Sequence, residues 1–211
     1  MSEYVIIIST MELKKYLKPQ YGIALAPVIF AFSQIIILGY NWTFGGHFGD
    51  ISLTVSKYVG LNIWSSVLFA IYNFLIAFLM VRYYLYAYKG LSKIWLVFGF
   101  IQLFGFIGLS IFPHAAFLSG DAKEVVVNLH IALARIMFFA MFGMAIERLR
   151  IACGRDNRNK FAAKICLAFI IYGLIYALGY MDQDGFLWHI MLIWETGYIY
   201  AFMGMLILTR K

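Results

Sequence analysis

The sequence predicts an all-α polytopic membrane protein, a compact bundle of six transmembrane helices with both termini cytoplasmic. Composition is the first reason. Of 211 residues, 64% are hydrophobic, 19% aromatic and 13% charged. A soluble domain of this length cannot hide so much apolar surface. The second reason is length patterning. About 20 apolar residues span a bilayer, and six runs of that kind occur, at about 21–41, 60–86, 94–112, 126–147, 161–180 and 186–208. The third is the placement of charge. Lys14, Lys15, Lys18, Arg82, Lys89, Lys93 and the cluster from Arg148 to Lys164 fall on one side of the runs, together with Arg210 and Lys211. The opposite loops hold Lys57 and Lys123 alongside Asp50, Asp121, Glu124, Asp182 and Asp184. Basic residues gather on the cytoplasmic side of membrane proteins, which sets the predicted orientation. The net charge of +7 alternates with spans and forms no single patch, so a nucleic-acid surface is excluded.

Each element follows from local signals. Residues 1–19 place a short apolar stretch before their charges, the reverse of a signal peptide, and read as a cytoplasmic lead-in. The first span ends in GYNWTFGG, with Tyr40 and Trp42 at the membrane interface. Asn41-Trp42-Thr43 matches the glycosylation sequon but sits too close to the membrane to count as an acceptor. A Gly-rich outer loop leads to the second span, with Asn73 near its middle, and the tight KGLSK turn leads to the third. Gly105 and Gly108 share one face of that span and suit close approach of a neighbouring helix, while Gly99 serves another face. Pro113 ends the third span near the outer surface. The fourth carries Arg135 and ends in the basic ERLRIACGRDNRNK turn. The fifth has a packing stripe of Tyr172, Tyr176 and Tyr180, and the sixth, after a short MDQDG turn, carries Glu195. Cys153 and Cys166 lie on the cytoplasmic side, where a disulfide is not expected. One transmembrane domain covers the chain, without internal repeats.

Arg135 and Glu195 interrupt apolar runs at matched depth, about 13 Å below the outer boundary at ~1.5 Å per residue. A charge there is costly and is usually paired, so a direct ion pair between spans four and six is expected, as a structural bridge or as part of a ligand site. Gln34, Asn73 and Gln102 fall at similar depth and extend the pair into a polar belt around an outer-half cavity. His114, His130 and His189 lie near the outer boundary. With Asp121 or Asp184 they have the chemistry of a zinc site, and His130 with His189 that of a haem axial pair, yet no ligand-spacing motif is present and no cofactor is favoured. GxSxG, P-loop and dinucleotide fingerprints are absent.

Several short segments, in order along most of the chain, resemble the DUF998 family of six-span membrane proteins, which is similar to the wider Frag/DRAM/Sfk group. Asp50-Ile51-Ser52 looks like that family's segment after span one, with Ser52 as its serine. Phe112-Pro113 looks like its GxFP, His130 followed by Ala134 like its H…A opening of span four, and Glu195 like the acidic residue of its span-six ER. Ser110 stands in place of the GxFP glycine, and Thr196 in place of the ER arginine, a positive charge that Arg135 would supply. The resemblance implies the fold and a membrane location, without an established activity. The wider group includes proteins linked to lipid anchoring. The expected function is binding of a lipid headgroup or small amphiphile in the outer-half cavity, in the plasma membrane, with membrane lipids as partners. The rival expectations are an intramembrane metal-dependent hydrolase using the three histidines, and a small proton-coupled transporter in which Glu195 titrates.

Overall fold

The structure is a computed structural model that describes residues 18–44, 53–113, 117–154, 159–181 and 185–209, apart from the side chains of residues 187 and 188. Six long helices are present: α1 (Ala26–Phe44), α2 (Ile63–Ala87), α3 (Lys93–Ile111), α4 (Gly120–Gly154), α5 (Lys160–Met181) and α6 (Met191–Leu208). With the turns that precede or follow them, all six are long and apolar enough to cross a membrane. Each packs on its sequence neighbours, and α6 returns to α1 and closes the ring. Ile35, Phe104 and Leu178 are among the many large apolar side chains that stay exposed on the outside. A water-soluble bundle would bury such a surface, whereas hydrocarbon solvates it.

Local chemistry explains most helix ends. Pro27 has no N–H to offer the carbonyl of Ile23, and a 3-10 turn at Ile23–Leu25 stands where the α-ladder would run, preceded by a one-turn helix at Pro19–Gly22. Asn62 caps α2 by accepting from the Ser65 N–H at 2.8 Å, and Ser92 caps α3 by accepting from the Trp95 N–H at 3.0 Å. A cap contributes about 1 kcal/mol. Ser92 also donates to Glu147 at 2.6 Å, which ties the start of α3 to α4.

The glycines expected to admit a neighbouring helix do so. A Cβ on Gly105 would lie 2.7 Å from the Met137 Cβ and 2.8 Å from the Leu133 carbonyl oxygen, so α3 rests directly on the α4 backbone. Gly108 faces the Leu133 side chain, and Gly99, on the other face, makes room for the Tyr84 ring of α2.

Three boundaries differ from the sequence reading. First, α4 has 35 residues, about 52 Å at ~1.5 Å per residue, against a hydrocarbon thickness of about 30 Å. Hydropathy falls at Glu147, but ERLRIAC is built of helix formers and the helix runs on. Second, the sixth span is broken. A short helix, Phe186–His189, precedes a non-helical Ile190, and α6 starts at Met191. Third, part of the outer loop after α1 is a short helix, Val55–Gly60. Thr54 caps it by accepting from the Lys57 N–H at 3.2 Å. Asn41 anchors the region. Its amide donates to the Tyr58 carbonyl and the Ser65 hydroxyl, both at 3.2 Å, and accepts from Asn62 at 2.9 Å. A fully buried amide engaged this way is no glycan acceptor, in keeping with the discounted sequon.

Candidate ligand cavity

A cavity of about 820 Å³ opens into the bundle, and all six long helices contribute to its wall. Its walls are largely aromatic and aliphatic, with Phe30, Phe69, Phe106, Phe138 and Phe142 among them. A few polar groups converge on it: Thr54, Ser56 and Lys57 from the short outer helix and its cap, Asn73 from α2, His130 and Arg135 from α4, Tyr176 and Tyr180 from α5, and Glu195 and Tyr198 from α6. Large apolar walls with a small number of placed polar groups are the pattern of ligand sites, and the volume falls within the ~300–1,000 Å³ usual for them. On the side where α4 meets α5, the lining residues Phe139 and Met181 are 72% and 80% exposed. The cavity therefore has a lateral rim facing the apolar exterior.

The aromatic part of the wall is built around Tyr198. Its ring stacks on Tyr176 at 5.2 Å and on Phe169 at 4.9 Å, and meets Phe138 edge-on at 5.3 Å. Gly173 lets this layer close, because a Cβ there would sit 2.5 Å from Phe142 and 2.7 Å from Tyr198. The tyrosine stripe expected to serve packing does so: Tyr176 stacks, and the Tyr172 hydroxyl donates to the Trp194 carbonyl at 3.1 Å.

Glu195 and Arg135 both line the cavity, but the expected ion pair between them is not formed. The Glu195 carboxylate instead accepts from the Val55 N–H at 2.7 Å, at the first residue of the short outer helix. A carboxylate satisfies the unpaired N–H groups and positive end of a helix terminus, which explains why Glu195 is drawn to this partner. Arg135 is exposed and has no hydrogen bond or ion pair among the described residues. The salt bridge present between described residues is elsewhere, Arg150 to Glu147 at 2.7 Å.

The expected polar belt is also only partly assembled. Asn73 lines the cavity and donates to the Ser110 hydroxyl at 2.8 Å, joining α2 to α3. Gln34 and Gln102 are buried but do not line it. Gln102 accepts from the Tyr84 hydroxyl at 2.8 Å, a packing role between α3 and α2. Residue number suggests depth along a span and carries no information on direction around the helix axis. Two buried polar atoms of the lining residues have no hydrogen-bond partner among the described residues, Asn73 Oδ1 and the Tyr198 hydroxyl. Thr54, Ser56, Lys57 and Tyr198 are polar lining residues that sequence reasoning missed, the first three because a polar loop concealed a helix of only six residues. Thr54, whose side chain caps that helix, was the available signal.

The histidines are dispersed. His130 is buried against the end of α3, its Nδ1 lying 2.6 Å from the Phe112 carbonyl. This satisfies an end carbonyl beside Pro113 and joins two of the motif residues. His189 is exposed. His114, Ser52, Asp50 and Asp184 lie outside the described residues, as do residues 1–17 of the lead-in. Among the described residues, no three His, Cys, Asp or Glu side chains form a metal-binding group.

Together these features define an all-helical bundle, with six helices long and apolar enough to cross a membrane and a cavity lined by all six. Compared with models of protein families, with curated proteins and with solved structures, the chain has no match.

Proposed function

We propose that this protein is a multi-pass protein of the plasma membrane that binds an amphiphile, a lipid or a smaller molecule with a polar head and an apolar tail, in the α4–α5 cavity. The observation that carries the reading is the cavity itself: about 820 Å³, with largely apolar walls, a few polar lining residues that include Arg135, Glu195, Asn73 and Tyr198, and exposed lining residues at Phe139 and Met181. Hydrocarbon gains from aromatic and aliphatic walls, while a headgroup takes the hydrogen bonds that Asn73 Oδ1 and the Tyr198 hydroxyl lack. Entry from the side suits a molecule already dissolved in the bilayer. The orientation proposed places both termini in the cytoplasm, so that the end bearing Lys89, Lys93, Arg148 and Arg150 faces inward. Membership in the DUF998 family is proposed on the short motifs. Two of their residues, Phe112 and His130, bond to each other, and Glu195 holds the segment three residues beyond Ser52.

Photolabelling tests the reading. A single-chain amphiphile with a mid-chain diazirine, incorporated into nanodiscs with the protein, should label peptides covering residues 131–142 and 173–181, and unlabelled amphiphile should compete. Labelling spread evenly over the lipid-facing helices, unaffected by competitor, would contradict it.

A further inference from the structure

We infer that the occupant of the cavity is an anionic amphiphile whose carboxylate or phosphate head is held by Arg135. This rests on the cavity being a ligand site, and it names the ligand's charge class. Arg135 is the one charged residue of α4 between Glu124 and Glu147 and lies close to the helix midpoint. A guanidinium cannot escape the cost of hydrocarbon by losing its proton, so it needs an anion or water. Among the described residues, none pairs with Arg135 through a hydrogen bond or ion pair. Among the described residues, Glu195 is the one carboxylate in the lining, and its Oε2 accepts from the Val55 N–H at 2.7 Å without an ion pair to Arg135. Among the described lining residues, Arg135 is therefore a cation with no carboxylate bonded to it. A planar guanidinium matches the paired oxygens of a carboxylate or phosphate. The Tyr198 hydroxyl, buried in the lining of the same cavity and without a partner among the described residues, is an independent donor for such a head. A cationic amphiphile would meet a like charge at Arg135, and a neutral one would leave Arg135 uncompensated.

The test uses the full chain in phosphatidylcholine nanodiscs and four probes of equal chain length: dodecanoate, dodecyl phosphate, dodecanol and dodecyltrimethylammonium. The two anions should bind at least about tenfold more tightly than the alcohol or the ammonium, the size of a charge-assisted hydrogen bond. Arg135→Gln should remove that preference while leaving dodecanol binding within about twofold, which also shows that the variant folds, and Arg135→Lys should keep part of the preference. Preference for dodecyl phosphate over dodecanoate assigns the head to a phospholipid, and the reverse to a fatty acid. Ala177→Trp, which fills the cavity from the α5 wall, should weaken all four. Equal binding of all four, lost in Ala177→Trp, overturns the anionic assignment and leaves the cavity reading standing. Binding that is absent, or indifferent to Ala177→Trp, overturns both.

Discussion

Replacing Glu195 by leucine should loosen the short outer helix from the bundle. The carboxylate accepts from the Val55 N–H at 2.7 Å, and Val55 and Glu195 are both buried. Leucine has no acceptor, so the N–H is left unmet away from water, at a cost of about 1–3 kcal/mol. Taking the middle of that range, about 2 kcal/mol, and a shift of about 2–4 °C per kcal/mol for a chain of this size, the midpoint of thermal unfolding should fall by about 4–8 °C. Glutamine keeps an oxygen in the same place. A charge-assisted hydrogen bond is roughly twice as strong as a neutral one, so Glu195→Gln should lose about half as much. The assay is thermal unfolding in nanodiscs together with hydrogen exchange on peptides covering residues 53–60. Exchange there should speed up in the leucine variant and change little in the glutamine variant. Unchanged exchange in Glu195→Leu, with an unchanged midpoint, would refute the docking role.

Two further predictions follow from packing and topology. Gly105→Ala should destabilise by about 1–3 kcal/mol, because the new methyl meets the α4 backbone at Leu133 and Met137, whereas Gly39→Ala, with open space around it, should be neutral or stabilising by up to about 1 kcal/mol; equal midpoints for the two would contradict the α3–α4 contact. In sealed cells an impermeant maleimide should label Lys123→Cys and leave the native Cys153 unlabelled, although Cys153 is exposed on the protein; labelling of Cys153 in the parent chain would reverse the orientation.

The bundle was legible because its signal is one of bulk chemistry. Six runs of apolar residues predict six helices long enough to cross a membrane, which are present, and the spacing of Gly105 and Gly108 already marked the face on which α4 lies. The end of α4 was less legible, since loss of hydropathy at Glu147 marks where a membrane would stop and carries no instruction for the helix to stop. Ile190 was illegible for the opposite reason: the chain stays apolar across a backbone break. The cavity was half legible. Arg135, Asn73 and Glu195 were found because polar groups in apolar runs are expensive. Their partners were not, because depth along a span is read from residue number whereas azimuth depends on how the helices rotate and pack. That is how Gln102 came to serve Tyr84, and how Glu195 came to serve Val55 in place of Arg135. Asn41, which holds α1, the short outer helix and α2 together, carried only the appearance of a sequon.

Native mass spectrometry of the purified protein, released gently from a neutral detergent, addresses the cavity most directly. The parent chain should retain one amphiphile of defined mass per polypeptide, and Ala177→Trp should arrive without it while keeping the same helical content by circular dichroism. A parent chain that carries no adduct, or an adduct retained equally by Ala177→Trp, would contradict the assignment of the α4–α5 cavity as a binding site.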